Sequence, residues 1–153
     1  MIEFKPFDDK LVGLIGAMSP AGRQKLAAEI AKELRKSQQQ RIKLQKAPDG
    51  TTYQARKRQP LRANSGRIKR AMFQKLRTAR YIKASGSNDA TVVEFTGKVQ
   101  RIARVHQLGL KDRPNPHSRD VQYSERQLLG FNRADKNLVE DLIIEHLMNN
   151  ILD

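Results

Sequence analysis

The strongest pattern in the chain is an apolar stripe. Leu26, Ala27, Ile30, Ala31 and Leu34 recur at three- and four-residue spacing, which predicts one face of a helix. Ser19-Pro20 is a start signal, an N-cap serine followed by proline at the first helical position. Pro48-Asp49-Gly50 is the matching stop, so the helix is expected to run to about Ala47. Beyond Leu34 the stripe thins to Ile42 within SQQQRIKLQK. A helix that loses its apolar face halfway either projects from the core or packs on a partner. Upstream, DDKLVGLIGA at 8–17 reads as a brief helix or an arm, weakened by two glycines.

Periodicity vanishes over 51–66, so 48–66 is expected to be a long loop. Ser65-Gly66 then leads into a predicted middle helix, RIKRAMFQKL, with Ile68, Ala71, Met72 and Leu76 on one side. ARYIKAS and ATVVEF are β-rich runs separated by GSND, a hairpin signal. Val93 and Phe95 alternate with Val92 and Glu94, so one face of the second strand should be buried. KVQRIARVHQLG returns to helical spacing, with Val99, Ile102, Ala103 and His106 facing inward and Gly109 at the stop. Residues 110–122 carry two prolines and read as a second loop, ending near a short strand at VQY. Asn132 with Asp135 three residues on suggests the cap of a last helix, whose stripe is Leu138, Leu142, Ile143, Leu147 and Ile151. The prediction is one α+β domain spanning 1–153. A small antiparallel sheet, hairpin plus short strand, packs with a long N-terminal helix, a middle helix and a C-terminal helix.

Charge changes this picture. The net charge of the 153 residues is +14, which calls for a polyanion, an acidic protein surface or shielding in an assembly. Residues 56–113 hold 16 basic and 3 acidic side chains, whereas 135–153 hold 1 basic and 5 acidic. A uniform nucleic-acid coat does not need an acidic last helix, but head-to-tail copies of one subunit can use it, because opposite patches steer association. There is no cysteine, which excludes disulfides and thiolate chemistry. MIEFKPFDDK resembles no signal peptide, and no apolar run approaches the roughly 20 residues that span a bilayer. A soluble chain, intracellular when made and with no membrane partner, is expected.

Candidate chemistry is thin. His106, His117 and His146 share no i, i+4 pairing, so a helical zinc pair is absent. Asp141 and Glu145 do sit at i, i+4 and can share a cation, but such a pair more simply forms a solvated acidic face. There is no GxSxG elbow and no phosphate-cradling GxxxxGK loop. His106 lacks a carboxylate matched to it in sequence and reads as a packed histidine. No enzyme activity and no cofactor are expected. Non-specific contact with DNA phosphates needs only positive charge, so a monomeric basic nucleic-acid-binding module is the alternative reading.

Five strings, taken together in order, carry a resemblance. They are KELRKSQQQRI (32–42), APDGTTYQARK (47–57), RIKRAMFQKLRTARYIKA (67–84), FTGKVQRIARVHQLGLKDR (95–113) and YSERQLLGFNRAD (123–135). From about residue 15 to 150 the chain resembles the tail completion protein S family, the virion morphogenesis proteins of temperate contractile-tailed phages. Residues 1–18 and 110–122 are variable in that family, and nothing is carried over there. The resemblance implies a structural α+β subunit of a ring, expected to be a hexamer, around a lumen that DNA crosses. The implied partners are copies of itself, the tail terminator or tail tube, and head completion or connector proteins. Genomic DNA is a further non-specific contact in the lumen. The implied role is to finish the tail and join it to the head, with assembly in the host cytoplasm and residence in the virion neck. On this reading Arg56, Lys57, Arg58, Arg67, Lys69, Arg70, Arg101 and Arg104 are the basic interface or DNA-facing candidates, and Asp141 and Glu145 the acidic ones.

Overall fold

The computed structural model describes residues 9–56 and 71–152, with side chains through Asn149. A short helix, α1 (Asp9–Gly16), precedes the dominant element, α2 (Pro20–Lys43). Ser19 caps α2 as its spacing predicts, its hydroxyl accepting from Gly22 N at 3.1 Å with Pro20 in the first turn. The helix ends at Lys43, before the Pro48 stop, because Gln45 takes a left-handed backbone (φ 58°). Leu26, Ala27, Ile30, Ala31 and Leu34 are buried as expected, and the buried stripe continues through Gln38 and Ile42.

A hairpin lies on α2. Strand β1 (Ile82–Gly86) pairs antiparallel with β2 (Thr91–Phe95) in the register Ile82↔Phe95, Ala84↔Val93, Gly86↔Thr91. Val93 and Phe95 face the core, Val92 is half-buried and Glu94 is exposed. The hairpin end sits against the helix backbone: Thr91 Oγ1 donates to Ala27 O at 3.0 Å. A Cβ on Gly86 would lie 2.3 Å from Ala28 N. Small residues on both elements permit this approach.

The remaining elements are α3 (Gln100–Leu108), the two-residue strands β3 (Lys111–Asp112) and β4 (Val121–Gln122), and α4 (Arg133–Leu152). Gly109 ends α3 in the left-handed conformation (φ 64°). The short strand near VQY does not extend the hairpin sheet. It pairs with β3, closing the ends of the 110–122 loop, which an Arg113–Asp120 pair at 3.4 Å also bridges.

Three expectations need correction. The described part of the predicted middle helix, 71–76, forms turns, and 67–70 lie outside the described residues. Met72 cannot be helical because Gln45 takes both its backbone groups, Nε2 to Met72 O and Met72 N to Oε1, each at 2.8 Å. Phe73 then turns to φ 66°. On α3, Ile102 is 52% exposed and Val105 is buried instead. The segment after β4 runs along that side of the helix, with Tyr123 N donating to Leu110 O and Arg126 N to His106 O. On α4, Val139 joins Ile143 as fully buried, while Leu138, Leu142 and Leu147 pack at the core margin.

Candidate assembly surfaces

The polar end of α2 does not project. Gln38 is fully buried, and its Oε1 accepts from Gly130 N at 3.0 Å and from Arg41 Nη2. Arg41 Nη2 also donates to Gly130 O at 2.9 Å, and Nη1 to Asp135 Oδ2 at 3.0 Å. Ser37 Oγ donates to the other Asp135 oxygen. Asp135 meanwhile completes the cap of α4: its amide donates to Asn132 Oδ1 at 2.9 Å and its carboxylate accepts from Asn132 N at 3.1 Å. The SQQQR block therefore meets its partner inside the same chain. A buried polar face spaced like an apolar stripe is the reason that the sequence reads as unpartnered there.

Other family-marking blocks reach the same strap, residues 126–130. Gln107 of RVHQLG accepts from Leu128 N and Leu129 N at 2.8 and 3.0 Å and donates to Leu129 O at 2.9 Å. Tyr53 of the PDGTTY turn donates its hydroxyl to Gln127 O at 2.8 Å, and burial pushes its pKa to about 12. Arg126, itself buried, donates Nε to Gln54 O at 2.8 Å and Nη2 to Ala55 O at 3.2 Å. The turn is set by Gly50 at φ 89° and by Asp49, whose carboxylate accepts from Thr51 N at 2.9 Å. These residues hold an extended segment that has no sheet to pair with, and satisfying its backbone by side chains is the alternative that burial requires.

His106 is packing in this same region. Its ring stands edge-on to Phe73 and Tyr123, with centroids 5.0 and 4.9 Å apart. Burial, then the Arg126 and Arg56 charges, lower its pKa from the ordinary 6.5, and its buried Nδ1 has no hydrogen-bond partner among the described residues. An imidazole flanked by guanidiniums is not poised as a base. His146 packs across α2 and α4, with Nδ1 3.7 Å from Glu29 Oε2, and His117 is exposed in the 110–122 loop. Among the described residues no three His, Asp or Glu side chains gather as a metal set. A cavity of about 180 Å³ lies between α1, α2, the hairpin turn and Ile143 of α4; its lining includes Val12, Ile15, Leu26 and Ile30, and the buried Nε of Arg23 has no hydrogen-bond partner among the described residues.

The charged candidates separate into distinct places. Lys57, Arg58, Arg67, Lys69 and Arg70 lie outside the described residues. Arg56 is exposed just beyond the strap contact. Arg101 and Arg104 are exposed on α3, where Arg101 Nη2 meets Asp112 Oδ1 at 2.6 Å. Asp141 and Glu145 are exposed on α4. No helix of the described residues is long and apolar enough to cross a membrane.

The chain is 47% identical over 148 residues to the tail completion protein S of Escherichia phage P2, covering 96% of this chain and 99% of that one. No solved structure matches it. The model of the phage virion morphogenesis family matches residues 2–148, and the chain belongs to that family.

Proposed function

We propose that this chain is a structural subunit of a phage tail, one tail-completion domain that assembles into a ring at the neck and readies the tail for the head. The observation that carries this reading is the near full-length likeness to a tail completion protein. The structure supplies support of a second kind. Gln38, Tyr53, Gln107 and Arg126, each from a different family-marking block, hold the strap at 126–130, as a scaffold requires and an active site does not. What is left for partners is the surface, basic through the middle of the chain and acidic at the end. Opposite charges at separate places on one subunit favour a heterologous contact, which closes into a ring when the rotation permits. The basic middle suits the DNA that passes through such a lumen. Catalysis has no part in this role.

Mass photometry at moderate salt tests the reading, with the chain alone and mixed with tail tubes. A discrete oligomer under either condition is expected. A chain that stays monomeric in both, yet binds duplex DNA with a steep salt dependence, would replace the ring by the nucleic-acid-binding module.

A further inference from the structure

Two exposed helix faces match each other in chemistry. On α4, Asp141, Ile144, Glu145 and Met148 follow the i, i+3, i+4, i+7 spacing of a single face. All four are exposed, Ile144 by 45% and Met148 by 56%. The opposite side, through Val139 and Ile143, is what α4 buries in the core. A helix this apolar on both sides is unusual for a surface element, because a lone subunit needs only one such stripe. Among the described residues, Asp141 and Glu145 form no ion pair.

On α3, Arg101, Arg104 and Leu108 share a face at i, i+3, i+7, while Ile102, also exposed, points about 130° from its centre. Leu108 is 53% and Ile102 52% exposed. Among the described residues Arg104 forms no ion pair, and Arg101 reaches Asp112 through a side chain that is 80% exposed, so that contact is weak and exchangeable. The two faces are thus of opposite sign, each with exposed apolar surface: two carboxylates beside Ile144 and Met148 on α4, two guanidiniums beside Leu108 on α3.

We infer that the Asp141–Met148 face of α4 in one copy docks on the Arg101–Leu108 face of α3 in the next. The inference rests on the ring reading and supplies its contact. The occupant is a second copy because each face presents the charge that the other needs, beside apolar side chains that both leave exposed. The faces lie on different elements, so every copy offers one of each; repeated head-to-tail, as the ring reading requires, the contact joins each copy to two neighbours. Apolar side chains at its centre would contribute affinity, while the charges set partner choice and register. Such a contact weakens with salt.

The test uses two variants of the full chain, Asp141→Lys with Glu145→Lys, and Arg101→Glu with Arg104→Glu. It is run under whichever condition assembles the wild type, alone or on tail tubes. The α4 variant should keep its thermal unfolding midpoint, since both side chains are exposed and unpaired among the described residues, and the α3 variant should lose only a little, from the exposed Arg101–Asp112 contact. Each alone should assemble on the order of 100-fold more weakly, like charges now facing like. An equimolar mixture should assemble again, because each variant then offers the sign that the other needs. A chain with all four reversals should assemble by itself. Variants that assemble normally, or a mixture that stays dissociated, overturn the α3–α4 pairing and leave the ring standing. A wild type that assembles under neither condition overturns both.

Discussion

Arg41 and Asp135 meet at 3.0 Å across 94 residues of sequence, with side chains 10% and 2% exposed. The pair joins the end of the longest helix to the beginning of the last one. Its charges are also satisfied by Ser37, Gly130 and the Asn132 amide. Removing one member leaves the other charge buried alone, which typically costs about 3–5 kcal/mol. Asp135→Ala is therefore expected to lower stability by about that much in urea unfolding, with additional loss from the broken cap. Arg41→Met combined with Asp135→Asn should cost less than the sum of the two single changes, by more than about 1 kcal/mol. Additivity in that cycle would show that the two side chains act independently.

The hairpin is seated by the absence of a side chain. At Gly86 a methyl group would stand 2.3 Å from Ala28 N and 2.5 Å from Ala27 C, both backbone atoms that cannot turn aside. Gly86→Ala should lift the hairpin from α2 and destabilise by about 2 kcal/mol, within the usual range for overpacking. Gly97→Ala is the control, since nothing lies within 4 Å of its added Cβ. It should stay within about 0.5 kcal/mol of the wild type. Equal midpoints for the two variants would mean that the hairpin does not need this approach.

His106 should make stability depend on pH in a defined direction. Its folded pKa lies below the ordinary 6.5 because burial and two guanidiniums disfavour the imidazolium. As the pH falls, the unfolded chain takes up the proton first, so unfolding is favoured. The contribution of His106 is thus present in full above about 6.5 and is lost as the pH drops towards the lowered folded value. NMR titration should place the His106 midpoint below 6.5, and His106→Gln should flatten this part of the profile. A midpoint at or above 6.5 would exclude the buried setting described for the ring.

The elements with a local signal were legible in the sequence. Ser19-Pro20, Gly109 and the Asn132–Asp135 box act through neighbours three or four residues away, and each caps or stops its helix as its spacing suggests. What escaped was decided at long range. Gln38 reads as solvent-facing because glutamine is usually exposed, yet its partner, Gly130, is 92 residues on. Met72 and Phe73 looked helical until the Gln45 side chain, 27 residues back, claimed the Met72 backbone. Of the candidate site, the charged positions on α3 and α4 were legible as charge. That Leu108, Ile144 and Met148 stand exposed beside them was not, because an apolar residue at helical spacing looks the same whether it faces the core or a partner.

The strap at 126–130 also sets a clock on the newborn chain. Helix α2 leaves the ribosome early, but Gln38 and Arg41 find Gly130 and Asp135 only about 90 residues later. At roughly 5–20 residues per second, that is about 5–20 s of translation with half of the main helix unlocked. A chain broken off before residue 130 cannot close this latch. Only a chain that extends through Asp135 can tie the end of α2 to the start of α4.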